Sequence, residues 1–159
     1  MTVSRVLHIA IFAILILAGG AFLGVLLLRS KDNKILTAAG YNHTIMVGDE
    51  YIPVSVADDD QERNLGLSGV PMLPKNAGKY FIFEDPAIYQ FWMKDMEFPI
   101  DMVWINEAGT VVEITKDVPP DSYPQTYQSQ EPIKYVLEVN AGFSTARDIQ
   151  IGDSVTVVK

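Results

Sequence analysis

Ile100-Asp101-Met102-Val103-Trp104-Ile105-Asn106-Glu107-Ala108-Gly109-Thr110-Val111-Val112-Glu113-Ile114-Thr115 is the stretch whose reading decides the fold. Ile100–Ile105 is apolar except for Asp101, and Thr110–Thr115 is dominated by β-branched residues, the composition that fits a pleated, half-buried surface. Asn106-Glu107-Ala108-Gly109 between them supplies turn residues, so the stretch predicts strand, hairpin turn and strand.

The same pattern continues on both sides. Upstream, Tyr80–Phe83 is a strand ended by Glu84-Asp85-Pro86, and Ile88–Met93 is another. Thr44–Val47 and Tyr51–Ala57 form a strand pair around the Gly48-Asp49-Glu50 turn. Asp58-Asp59-Asp60 opens a short helix through Leu67, where acidic side chains cap free amides and suit the positive helix end. Gly66, Gly69, Pro71 and Pro74 stop it. Downstream, Lys116–Pro132 holds four prolines and reads as a long loop. Ile133–Val139 is a strand, Ala141–Arg147 a helical turn, and Ser154–Val158 a last strand after Gly152-Asp153. The predicted fold class is mainly β (α+β): a small, mostly antiparallel, barrel-like domain with one or two short helices.

Val6–Leu28 is different in kind. Its 23 residues carry no charge, and His8 alone is strongly polar. As a helix they span roughly 34 Å, enough for a hydrocarbon core of about 30 Å. The sequence therefore predicts a transmembrane anchor at 6–28, a linker at 29–43 and a soluble β-rich domain at 44–159. The apolar run outlasts an ordinary signal-peptide core, which favours an uncleaved signal-anchor. Gly20 and Gly24 make a GxxxG pair of the type that seats a partner helix. Arg5 and the terminal amine face Arg29, Lys31 and Lys34 across the span, so the flanking charges are nearly balanced and lean slightly toward a cytoplasmic domain.

Beyond Ser30 lie ten Lys/Arg and all twenty Asp/Glu, a formal charge of −10. Such a balance argues against nucleic-acid binding, which needs a basic face. The absence of cysteine excludes disulfides, thiolate metal sites and a thiol nucleophile. His8 and His43 are the only histidines, so a Ser–His triad has no credible base. No cofactor and no metal is expected.

Residues 91–101 concentrate the chemistry. Strand alternation puts Trp92 and Lys94 on one face, and Pro99 can turn the chain so that Asp101 returns nearby. One reading pairs Lys94 with Asp101 in a pocket walled by Trp92 and Trp104, under the 116–132 loop, and takes a small polar ligand or a partner. The other makes them a structural ion pair beside core aromatics. Arg63 and Glu138 are read as structural charged positions, at least one buried and satisfied, because an unpaired buried charge is costly. Asp95, Glu97 and Asp101 are the carboxylates available for glycoside hydrolysis, with Trp92, Trp104 and Tyr89 as sugar platforms.

Glu62-Arg63-x-x-Gly66-Leu67, Phe91-Trp92-Met93-Lys94, Pro99-Ile100-Asp101, Tyr135-Val136-Leu137-Glu138 and Gly152-Asp153 occur in this order. The succession resembles the family known as domain of unknown function 192, over residues 44 to 158. The resemblance implies a compact, largely β domain, often behind a signal peptide or single anchor in prokaryotic envelopes, and lends no reaction. Ser68 stands where the family usually has methionine, and Asp59 where threonine is common. The resemblance places the domain outside the cytoplasmic membrane, periplasmic or extracellular. The resulting expectation is a membrane-anchored envelope domain, a non-catalytic binding or interaction module for an unknown protein or small polar ligand. The alternative is a carboxylate-dependent hydrolase of envelope glycans.

Overall fold

A computed structural model of the chain describes residues 31, 34, 36, 37 and 39–158. The chain divides into two compact units, 1–39 and 40–159. The span expected at 6–28 lies outside the described residues. Nine of the fifteen residues of the expected 29–43 linker are described, and they depart from a plain linker, with Lys31, Lys34, Leu36 and Thr37 helical and His43 already in the first strand. Among the described residues no helix is long and apolar enough to cross a membrane.

The second unit runs β1 (His43–Val47), β2 (Glu50–Ala57), α1 (Asp60–Leu65), β3 (Gly78–Ala87), β4 (Phe91–Trp92), β5 (Ile100–Ile105) and β6 (Val111–Val118). A 3-10 turn at Pro120–Ser122, β7 (Thr126–Tyr127), β8 (Ile133–Asn140), α2 (Phe143–Ala146) and β9 (Val155–Val158) complete it. Seven strands form one sheet in the order β6-β5-β8-β3-β2-β1-β9. β2 and β3 are parallel and the other pairs antiparallel. The sheet curls until its two edge strands meet at one end. There Thr110 bridges Ser154, the Val155 amide donates to the Gly109 carbonyl at 2.7 Å, and the Val111 amide donates to Asp153 at 2.9 Å. The second unit is thus mainly β, a half-barrel with two short helices among its described residues. Gly109 has φ +73°, and a Cβ there would meet the Val155 carbonyl oxygen at 2.8 Å, so glycine is required where turn and seam coincide.

Curling gives the sheet two buried faces. Ile45, Val54, Tyr80, Val103, Leu137 and Val139 pack inside the curl. Phe81, Met93, Met102, Trp104 and Val136 form a second cluster. β5 and β8 feed both, and all six residues of β5 are buried. A central strand covered on both faces reads as a continuous apolar run, which is why Ile100–Ile105 shows so little alternation.

Three expectations needed correction. β3 passes through Glu84-Asp85-Pro86 to Ala87, because its register with β8 breaks between Ile82 and Ala87 and the proline interrupts no ladder bond. The strand expected at Ile88–Met93 shrinks to Phe91–Trp92. The 116–132 loop is partly ordered: β6 reaches Val118, and Thr126–Tyr127 pairs with Phe91–Trp92 as a second, two-stranded sheet. The capping expectation holds. Asp59 is the N-cap and accepts from the Glu62 amide at 2.8 Å, and Gly66 closes the helix at φ +54°.

Candidate functional site: an aromatic groove over a buried carboxyl

Arg63 fixes α1 against the sheet. Its guanidinium donates to the Asp58 carbonyl at 2.5 Å, to the Ile82 carbonyl at 2.8 Å and to Asp60 Oδ1 at 2.6 Å. It also lies over the Phe83 ring, 5.4 Å from the centroid. Helix and strand are thereby stapled, and a groove of about 460 Å³ remains among α1 with its following turn, the far half of β3, and β4. That volume suits a small ligand.

Aromatic rings build its wall. Phe83 stacks on Tyr89 with centroids 3.6 Å apart, and Phe91 sets its edge against Phe81 at 5.0 Å and Trp104 at 5.4 Å. The Tyr89 hydroxyl donates to the Asp85 carbonyl at 2.7 Å, which fixes that ring. Trp92 is 47% exposed at the rim and meets Tyr123 of the following loop edge-on at 6.5 Å.

Glu138 lines the same groove and is only 5% exposed. Across the ladders it stands opposite Lys79 on β3 and Met102 on β5. Among the described residues no hydrogen bond or ion pair reaches its carboxyl. Desolvation pushes its pKa up to about 8, opposed by the Lys79 charge. Asp60, Glu84 and Asp85 also line the groove, against one cation, Arg63.

Of the four residues expected to form a site, only Trp92 lines this groove. Lys94 is exposed, and no ion pair joins it to Asp101 among the described residues. Asp101 is fully buried and accepts from the Asp117 amide (2.9 Å), the Gly142 amide (3.2 Å), and the Ser144 amide (3.1 Å) and hydroxyl (2.6 Å). Trp104 is fully buried too, its indole N–H donating to Thr115 Oγ1 at 2.9 Å. Asp101 and Trp104 are thus a brace and a core ring. Asp95 and Glu97 are exposed while Asp101 is buried, so the three carboxylates share no cleft. Arg63 is part-buried and held by three hydrogen bonds, whereas Glu138 is 5% exposed and accepts none among the described residues. Its signal in the sequence is a lone acid in the run Tyr135-Val136-Leu137-Glu138-Val139. Among the described residues no three His, Cys, Asp or Glu side chains converge as a metal-holding group.

A family model, DUF192, described as Uncharacterized ACR, matches residues 43–157. The chain belongs to the DUF192 family. A crystal structure of a candidate transcription regulator from Sinorhizobium meliloti 1021 is similar at 28% identity and a TM-score of 0.69, over 72% of this chain and 92% of that one. A protein of unknown function from Novosphingobium aromaticivorans DSM 12444 shares the fold at 24% identity and a TM-score of 0.67, over 71% and 83%. No curated protein matches. Three of the five segments that resemble DUF192 converge on the groove, through Arg63 with Gly66 and Leu67, through Phe91 with Trp92, and through Glu138. The other two brace the fold: Asp101 gathers its four donors, and Asp153 accepts from the Gln150 amide at 2.8 Å.

Proposed function

We propose that this DUF192 domain is a ligand-binding module, held at a membrane by residues 6–28 and facing outside the cytoplasm. One observation carries the binding reading: a 5% exposed residue, Glu138, lines a groove walled by aromatic rings, and its carboxyl accepts no hydrogen bond among the described residues. Its oxygens open to the groove, since no fully buried side-chain N or O among the described residues lacks a partner. A carboxyl confined in this way keeps little of its hydration and has acceptor sites that no protein group uses, so a ligand that brings donors gains hydrogen bonds there. The uncharged run Val6–Leu28 supports the anchor, and the family's frequent placement behind a signal peptide or anchor supports the orientation. The S. meliloti protein is described as a transcription regulator; for this chain the formal charge of −10 beyond Ser30 opposes nucleic-acid binding. Glycan hydrolysis has lost the carboxylate trio on which it rested.

The binding reading is tested on the full chain in a non-ionic detergent, by thermal shift against alkylamines, amides, monosaccharides and carboxylic acids. At least one class should raise the melting temperature of the wild type and fail to raise that of Trp92→Ala. No shift from any class, or shifts that Trp92→Ala retains in full, would overturn it. The anchor is checked in the same preparation: the chain should stay with membranes washed at alkaline pH, and release into the wash removes it from the proposal.

A further inference from the structure

The chemistry of the groove also specifies what it takes. An ionised carboxylate offers about four lone-pair sites, and no protein N–H or O–H uses those of Glu138 among the described residues. The ligand therefore brings hydrogen-bond donors. Its charge follows from the other lining groups. Glu84 and Asp85 make no ion pair among the described residues, and Arg63 is committed to Asp60 and two backbone carbonyls. Among the lining residues an anion would meet three carboxyls and no free cation, Lys79 standing outside the lining with its charge toward Glu138. A cation meets these carboxyls and the faces of aromatic rings, where Arg63 over Phe83 already shows the contact.

We propose that the groove binds a primary organic ammonium ion, its N–H groups donating to Glu138 and its apolar body lying against the aromatic wall. The inference rests on the ligand-binding reading above and names the ligand class. A quaternary ammonium would leave the Glu138 acceptors unused, and a neutral amide would leave the acidic lining uncompensated.

A proton moves when such a ligand enters. The charged groups around Glu138 are Lys79 and, farther along, Glu84 and Asp85 on β3, with Asp60 and Arg63 on α1; β5 presents Met102. Burial holds Glu138 protonated in the empty groove at neutral pH, whereas the ammonium selects the carboxylate. Binding thus breaks the carboxyl O–H bond and releases one proton to solvent, while the ligand keeps its own three.

Calorimetric titration of the full chain with n-butylammonium chloride between pH 6 and pH 9 tests this, with 1-butanol and sodium butyrate as controls. The amine stays charged through that range. Affinity should rise about tenfold from pH 6 to pH 7, about fivefold from pH 7 to pH 8, and less than about twofold beyond, as a single group near pH 8 ionises. Titrations in buffers of different ionisation enthalpy should show about one proton released per ligand at pH 7. Glu138→Gln should lose the pH dependence and at least about tenfold in affinity at pH 8. The wild-type profile stands by itself if that variant misfolds. Equal binding of butanol or butyrate, affinity that is flat or falls with pH, or an unchanged profile in Glu138→Gln would overturn the inference. Binding of amides, sugars or acids through Trp92 with none of butylammonium leaves the groove standing and removes the ammonium. Binding of nothing removes both.

Discussion

Asp101 and Glu138 are buried carboxyls on neighbouring strands, one register step apart, since Asp101 lies opposite Val139 and Glu138 opposite Met102. Their exposures are 0% and 5%. Asp101 is met by four donors from the end of β6 and the start of α2. Asp117 takes a left-handed backbone, φ +53°, next to one of those bonds. Glu138 is met by none. The fold is able to surround a buried carboxylate with amides, so the one a step away, without a donor among the described residues, differs in kind: the first serves the structure, and the second is the group on which the proposed binding rests.

The contrast can be broken most forcefully at Asp101. Asp101→Ala leaves the Gly142, Ser144 and Asp117 amides without their acceptor, and should cost about 3 kcal/mol or more in urea unfolding. A loss below about 1 kcal/mol would mean that the brace is dispensable and the contrast empty.

Glu138 should show the opposite sign. Its pKa in the folded state is raised from 4.5 to about 8, so between those values the folded state binds more protons than the unfolded one. Its contribution is most favourable below about pH 4.5 and is lost as pH rises toward 8, by up to about 1.4 kcal/mol per pH unit. Glu138→Leu should remove that slope and gain stability at pH 8, because an apolar side chain needs no partner. Urea unfolding of wild type and variant at pH 5, 6, 7 and 8 reads the difference. An unchanged slope would show that Glu138 is ionised throughout.

The smallest effect belongs to Lys94. Exposed and without an ion pair among the described residues, this lysine should tolerate methionine within about 0.5 kcal/mol, with Trp92-dependent binding unchanged. A clear drop in melting temperature would restore it as part of a brace.

The sequence was legible where local signals suffice. The hairpin Ile100–Thr115 is announced by its turn, and Asp59 and Gly66 mark the two ends of α1. Pairings set by distant segments were not: β4 is two residues long and exists because Thr126–Tyr127 lies beside it, more than thirty positions later. Trp104 and Asp101 looked like pocket residues because alternation assigns a strand one wet face, and β5 has none. Arg63 and Glu138 were flagged as charges that a structure must accommodate. That they line one groove depends on α1 lying beside the second face of the sheet, which no periodicity reports.

The pairing of β1 with β9 also has a consequence in time. β1 at His43–Val47 obtains its second neighbour only with Val155–Val158, more than a hundred positions further on. At about 5–20 residues per second of synthesis, that strand waits roughly 5–20 s on the ribosome with one edge bare. Unpaired strand edges are templates for other chains. The topology therefore makes this half-barrel a late-closing fold, dependent through that interval on whatever shields nascent chains.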